Sequence, residues 1–194
     1  MAAIKPRELQ RLVTAGRRMY EGGLATGALG TIGVRLSDGA VAVTGDRSRL
    51  GFLEESDLAL LDGNGVPLPE NRRELNLDAG ILSAVLAVRP EAGSVVRFHS
   101  AYATALAHAG RRPLESYSAL LEHLGGVALV PYYRPGTAGL AGAVADAMRS
   151  NRVALIERQG PVVWGRDLED AVDQAEAVEA AAKVIFILHG KNGS

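Results

Sequence analysis

The residues with the clearest chemical potential lie in the run Ser94-Val95-Val96-Arg97-Phe98-His99-Ser100-Ala101-Tyr102-Ala103-Thr104-Ala105. Val95 to His99 reads as a strand, and residues two apart on a strand point to the same side. Arg97 and His99 are therefore expected together at its end, just before a helix that Ser100 would cap. Such strand ends are where sites concentrate in α/β folds. A guanidinium has no lone pair for a metal and keeps its proton, but it can grip a carboxylate or enolate oxygen with two donors. Residue type alone leaves His99 open between a structural and a functional role. The other three histidines are less well placed: His108 and His123 fall in helical stretches that read as surface, and His189 belongs to the tail.

The elements that must position this pair can be read along the chain. Pro6 suits a first helical turn, and Leu9, Leu12, Val13, Ala15 and Met19 keep helical spacing until Gly22-Gly23. Thr31 to Leu36 and Ala40 to Thr44 flank Ser37-Asp38-Gly39, which predicts a hairpin. Leu58 to Leu61 runs into a second tight turn at Asp62-Gly63-Asn64-Gly65. Leu77 to Val88 reads as a helix stopped before Pro90, and Leu114 to Leu124 as another. Val127 to Val130 reads as extended, Thr137 to Met148 as a helix behind a Gly-Thr cap, and Arg152 to Ile156 and Val162 to Trp164 as strands. Asp167 caps a closing helix that reaches about Leu188. An early hairpin followed by strands separated by helices predicts one domain over residues 1–194, of three-layer mixed α/β class.

Composition narrows the function classes. A chain of 194 residues with 47% hydrophobic content builds a core without a disulfide or metal staple. The absence of Cys excludes thiolate catalysis and Cys-ligated zinc, and fits a reducing cytosol. A net charge of −1 with scattered charges argues against nucleic acid and against a membrane surface as partners. Met1 to Lys5 is too short for a signal peptide, and no apolar run approaches the roughly 18 residues of a spanning helix. A soluble, cytoplasmic protein acting on a small molecule is expected. Gly27-Ala28-Leu29-Gly30-Thr31-Ile32-Gly33 leads into a strand rather than a helix, so neither a dinucleotide loop nor a P-loop is supported. The sequence holds no Gly-x-Ser-x-Gly elbow and no His-Glu-x-x-His.

In the order of its segments the chain resembles the class II aldolase/adducin family, fuculose-phosphate-type aldolases in particular, over about residues 8–188. Arg97-Phe98-His99-Ser100-Ala101-Tyr102-Ala103-Thr104-Ala105 is similar to the family's His-x-His and the Ser-Pro-Tyr-Ala-Thr-Ala type of run after it. Gln159-Gly160, ahead of a strand ending in Gly165, stands where the family has His-Gly. Gly30-Thr31-Ile32-Gly33-Val34-Arg35 looks like its Gly-Asn-x-Ser-x-Arg segment. Thr44-Gly45-Asp46-Arg47 takes the place of Thr-Pro-Ser-Gly, and Leu75-Asn76-Leu77-Asp78 that of Pro-Ser-Ser-Glu.

The resemblance implies a three-layer α/β/α domain with a central, largely antiparallel sheet. It also implies a ring of four subunits with active sites between neighbours. The family's divalent metal, usually zinc, sits on three His, and two of those positions are here Arg97 and Gln159. A guanidinium about 4 Å from a dication would oppose it by about 8 kcal/mol at an effective dielectric of about 20. The departures thus predict no metal and no cofactor, with Arg97 replacing the cation as a binder of oxyanions. The small phosphate-gripping donors are mostly replaced, by Thr31, Gly33, Thr44 to Arg47 and Asn76-Leu77, which disfavours a sugar phosphate. Asp78 corresponds to the catalytic Glu as a general base, and Tyr117 to an acid contributed across a subunit interface. The candidate catalytic set is Asp78, Arg97, His99 and Tyr117, with Thr31, Arg47, Asn76 and Gln159 against the substrate.

Two functions of different class follow. One is a metal-independent lyase-like enzyme acting on a small non-phosphorylated carbonyl compound or hydroxy or keto acid, by aldol-type cleavage or addition, decarboxylation, dehydration or cyclisation. The other is an adducin-like binding or assembly module in which Arg97 merely pairs with Asp78 and closes a dead pocket. A direct pair that excludes solvent would favour the module.

Overall fold

A computed structural model describes residues 4–109 and 124–191. Seven strands form one sheet in the order β3-β2-β1-β4-β7-β6-β5: β1 Thr31–Arg35, β2 Val41–Thr44, β3 Leu58–Leu61, β4 Ser94–Arg97, β5 Val127–Val130, β6 Val153–Ile156 and β7 Gly160–Gly165. All neighbours are antiparallel except β5 and β6. Helices α1 Pro6–Glu21, α2 Ala79–Val88, α3 Ala101–Ala109, α4 Ala138–Met148 and α5 Leu168–Lys191 cover both faces. The expected mixed three-layer domain with a largely antiparallel sheet is what forms.

Alternation along the strands sorts the core into two halves. Val95 of β4 packs with Leu82, Val85, Val144 and Met148 under α2 and α4. Val96, its neighbour, packs with Leu12, Met19, Leu168 and Val172 under α1 and α5. Because helices cover both faces, β4 and β7 are buried along their whole length and read as near-continuous apolar runs.

Two of the boundaries that differ from the sequence reading, and one cap, bear on the site. Helix α2 starts at Ala79, leaving Leu77 two-thirds exposed where it packs beside Gly136. Strand β4 stops at Arg97, so His99 lies in the connection rather than in the strand. Ser100 does not cap α3 alone. Its hydroxyl donates to Glu179 of α5, whose carboxylate also accepts from the Tyr102 and Ala103 amides at 3.1 and 2.8 Å. A partner 79 residues away thus satisfies the orphan donors of that helix. The Asp167 and Thr137 caps form as expected, on the amides of Asp170 and Leu140. The segment Leu114 to Leu124 lies, except for its last residue, outside the described residues, as do Tyr117 and His123. Among the described residues no helix is long and apolar enough to cross a membrane.

Candidate active site

Strand register begins the site. Thr31 of β1 is the cross-strand partner of Arg97 of β4, so a hydroxyl and a guanidinium come side by side. Gly33, two residues on, makes room for α2: a Cβ there would stand 2.8 Å from Leu82 Cδ2. The close approach lowers the start of α2 onto the sheet and suspends Asp78 over both strands. Thr31 Oγ1 donates to Asp78 Oδ2 at 3.2 Å, and Arg97 Nη1 donates to Asp78 Oδ1. Asn76 Oδ1 accepts the Asp78 amide at 2.9 Å and fixes the turn that carries it.

The opposite edge of the guanidinium is held by the β6–β7 turn. Arg97 Nη2 donates to the backbone oxygen of Gln159 at 3.3 Å and to its Oε1 at 3.2 Å. Gln159 Nε2 in turn donates to the Tyr133 carbonyl at 2.6 Å. The turn is tight enough that Arg158 adopts a left-handed φ of 62° and Gly160 a φ of 95°. Arg97 is 4% exposed and Asp78 8%, yet both form the wall of a cavity of about 420 Å³.

Of the sequence-predicted residues, Thr31, Asn76, Asp78, Arg97, His99 and Gln159 all line this cavity. Arg47 does not line it. Its side chain is 90% exposed, reaching only Asp46 at 3.5 Å, because the left-handed φ of 55° at this turn turns the long side chain into solvent. Three polar wall residues were not among the predicted site residues: Asp46, Thr104 and Arg158. Thr104 lies one helical turn beyond Ser100, a spacing that could have flagged it. Asp46 and Arg158 sit in turns, where no periodicity marks direction.

Burial pushes the His99 imidazole below its ordinary value, the neighbouring Arg97 charge adds to the effect, and Asp78 opposes it. His99 is accordingly neutral at pH 7, able to accept a proton. Burial also lowers the Arg97 guanidinium, against the opposing effect of Asp78. Arginine nonetheless stays protonated in proteins. Arg97 Nε, His99 Nδ1 and Thr104 Oγ1 are buried without hydrogen-bond partners.

The donors gathered here do not fit a divalent metal. One imidazole faces a guanidinium, and the Gln159 amide oxygen is already engaged by Arg97. Among the described residues no group of three or more His, Cys, Asp or Glu side chains comes together to hold an ion.

Comparison with known proteins places the fold and the site in context. Residues 10–186 match the class II aldolase and adducin N-terminal domain. The chain belongs to that family. The 3-oxo-tetronate 4-phosphate decarboxylase of Haemophilus influenzae is 33% identical to this family member over 93% of the chain and 87% of its own length. The methylthioribulose-1-phosphate dehydratase of Gluconobacter oxydans is 30% identical, over 88% and 86% respectively. The crystal structure of YgbL from Escherichia coli superposes with a TM-score of 0.82 at 31% identity, covering 92% of this chain and 88% of that one.

Proposed function

We propose that this family member is a metal-independent lyase acting on a small, non-phosphorylated hydroxy or keto acid, with Arg97 as the group that holds the substrate's oxyanion. A lyase is the coarse reading that the named decarboxylase and dehydratase support. The observation that carries the finer one is the buried guanidinium itself, fixed on one edge by Gln159 and set in the cavity wall. Decarboxylation, dehydration and aldol cleavage all build negative charge on an oxygen beside the breaking bond. Preorganised donors in a dry wall stabilise that charge more than water would. His99, neutral, accepts a proton, and Asp78 stands beside the same oxygen position as a second proton carrier.

The charges along the cavity balance: Arg97 and Arg158 against Asp46 and Asp78. With Arg47 turned outward, no cluster of free cations lines the cavity among the described residues. Assembly belongs to the same reading. A homotetramer would bring Tyr117 to a neighbour's cavity, and the exposed Val184, Phe186, Ile187 and Leu188 on α5 offer an apolar face for packing. A second reading, the adducin-like binding module, is favoured by the direct Arg97–Asp78 contact. Against it, the pair borders an open cavity instead of sealing one.

The deciding assay offers hydroxy and keto acids in phosphorylated and unphosphorylated pairs, with excess chelator, and follows carbon dioxide and carbonyl products. Turnover of an unphosphorylated member should survive the chelator and fall by about two to three decades in Arg97→Lys, which keeps the charge but loses the fork. Activity confined to phosphorylated substrates, or lost on chelation and restored by zinc, overturns the proposal. Unchanged turnover in Arg97→Lys removes this residue from the chemistry.

A further inference from the structure

Arg97 is bound by two partners of different kinds. Its Nη2 edge is tied to Gln159, whose backbone is locked in the β6–β7 turn and whose amide is anchored on Tyr133. Its Nη1 edge meets Asp78, a side chain at the wall of the cavity held otherwise by a single 3.2 Å hydrogen bond from Thr31. Asp78 is therefore the partner that can be exchanged. Resting on the oxyanion role proposed for Arg97, we infer that an anionic substrate takes the place of Asp78 on this guanidinium and that Asp78 takes up a proton from solvent as it does so.

The reason is charge count at a pair buried in the cavity wall, where Arg97 and Asp78 keep only a few per cent of their surface exposed. One guanidinium neutralises one carboxylate, and a second carboxylate at the same edge leaves an uncompensated negative charge beside the first. Two carboxylates sharing one site raise the proton affinity of one of them. Among the described residues, the other groups around Asp78 give no relief. From β1, Thr31 is uncharged, and Asn76 on the preceding turn uses its side-chain oxygen on the Asp78 amide. His99, beyond the end of β4, is neutral. At the mouth, Asp46 adds negative charge, while Arg158 is two-thirds exposed and its charge is screened by water. A proton on Asp78 restores the balance, and the Thr31 hydroxyl accommodates it. That hydroxyl donates to a carboxylate and accepts from a carboxylic acid with no change of position.

The exchange fixes both the ligand class and the role of Asp78. The ligand presents one negatively charged oxygen group to Arg97, and the loaded site contains Asp78 as an acid rather than the base that the resemblance implies. When a carbon–carbon or carbon–oxygen bond of the substrate breaks, the Asp78 hydroxyl supplies the proton to the carbanion or the leaving oxygen. The resulting carboxylate returns to Arg97 and displaces the product. Decarboxylation consumes the proton taken from solvent as carbon dioxide leaves, whereas in dehydration or aldol cleavage neutral His99 accepts the proton removed from the substrate and returns it to solvent.

Acetate serves as the probe and acetamide as its neutral counterpart. Titration calorimetry of the intact protein at pH 7.5, in buffers of different ionisation enthalpy, counts the protons taken up from the slope. Acetate should take up about one proton per molecule bound, and its apparent Kd should weaken about tenfold per pH unit above neutrality. Acetamide should take up none. Asp78→Asn should bind acetate more tightly, with no uptake and no pH dependence, while His99→Gln should still take up a proton. Acetate binding without proton uptake in the parent protein overturns the inference but leaves the oxyanion role of Arg97 standing. Uptake lost in His99→Gln and kept in Asp78→Asn assigns the proton to the imidazole and also overturns it. No acetate binding at all removes both readings. The parent measurement decides alone if a variant fails to fold.

Discussion

On one face of the sheet, α1 is fastened to α5 by Arg18, which reaches Asp173 at 2.7 Å and Glu176 at 2.6 Å through side chains that are 40% to 64% exposed. In the cavity wall, Arg97 meets Asp78 with 4% and 11% of their side chains exposed. The ions are of the same types and the contacts equally direct, but their surroundings differ. Around Arg18, water screens the attraction and would solvate each ion if it were broken. Around Arg97, each ion has little water to fall back on, and removing one leaves the other largely stranded. The exposed cluster fastens two helices and does little else. The buried pair is poorly suited to stabilising the fold, since taking both ions out of water offsets most of their attraction. What it does provide is a fixed, dry charge beside an open cavity.

The comparison can be broken most severely by stranding the guanidinium. Asp78→Leu should destabilise the protein by about 3 kcal/mol or more in urea unfolding, whereas the double change Asp78→Leu with Arg97→Met should recover most of that loss. A double variant no better than the single one would mean that the pair, rather than the stranded charge, carries the stability. A smaller effect comes from His99, whose folded-state value lies below its unfolded one. Above the unfolded value of about 6.5 both states are neutral and stability is flat. As pH falls from there toward the folded value, the unfolded state binds the extra proton and stability declines, by at most about 1.4 kcal/mol per pH unit. Urea midpoints at pH 7.5 and 5.5 should show this decline and His99→Gln should reduce it; equal slopes in both proteins would place the titration elsewhere. The smallest effect belongs to the exposed cluster. Arg18→Ala should lower stability by less than about 1 kcal/mol, and 1 M salt should erase the difference.

How much of this was legible in the sequence varies with the range of the interaction. Two-residue alternation and helix caps located nearly every element, and the segment order pointed to the family. The order of segments also brought Thr31, Asn76, Asp78, Arg97, His99 and Gln159 onto the candidate site, and all six line one cavity. Arg47 lies apart from that cavity, at a turn with a left-handed φ that nothing in its residue type announces. Ser100 has the type of an N-cap, but the cap is largely Glu179, far along the chain.

The sequence by itself determined the mixed α/β class, the alternation that buries β4 on both faces, and the kinds of side chain available at the site. Those follow from local sterics and from periods of two and 3.6 residues, which short windows of sequence contain. Only the tertiary structure decided that Thr31 stands across from Arg97, that Gly33 lets α2 bring Asp78 down onto them, and that Gln159 holds the remaining edge of the guanidinium. These residues are separated by up to 128 positions along the chain, from Thr31 to Gln159 (159 minus 31). Their charges interact only once folding has excluded the water that would otherwise screen them.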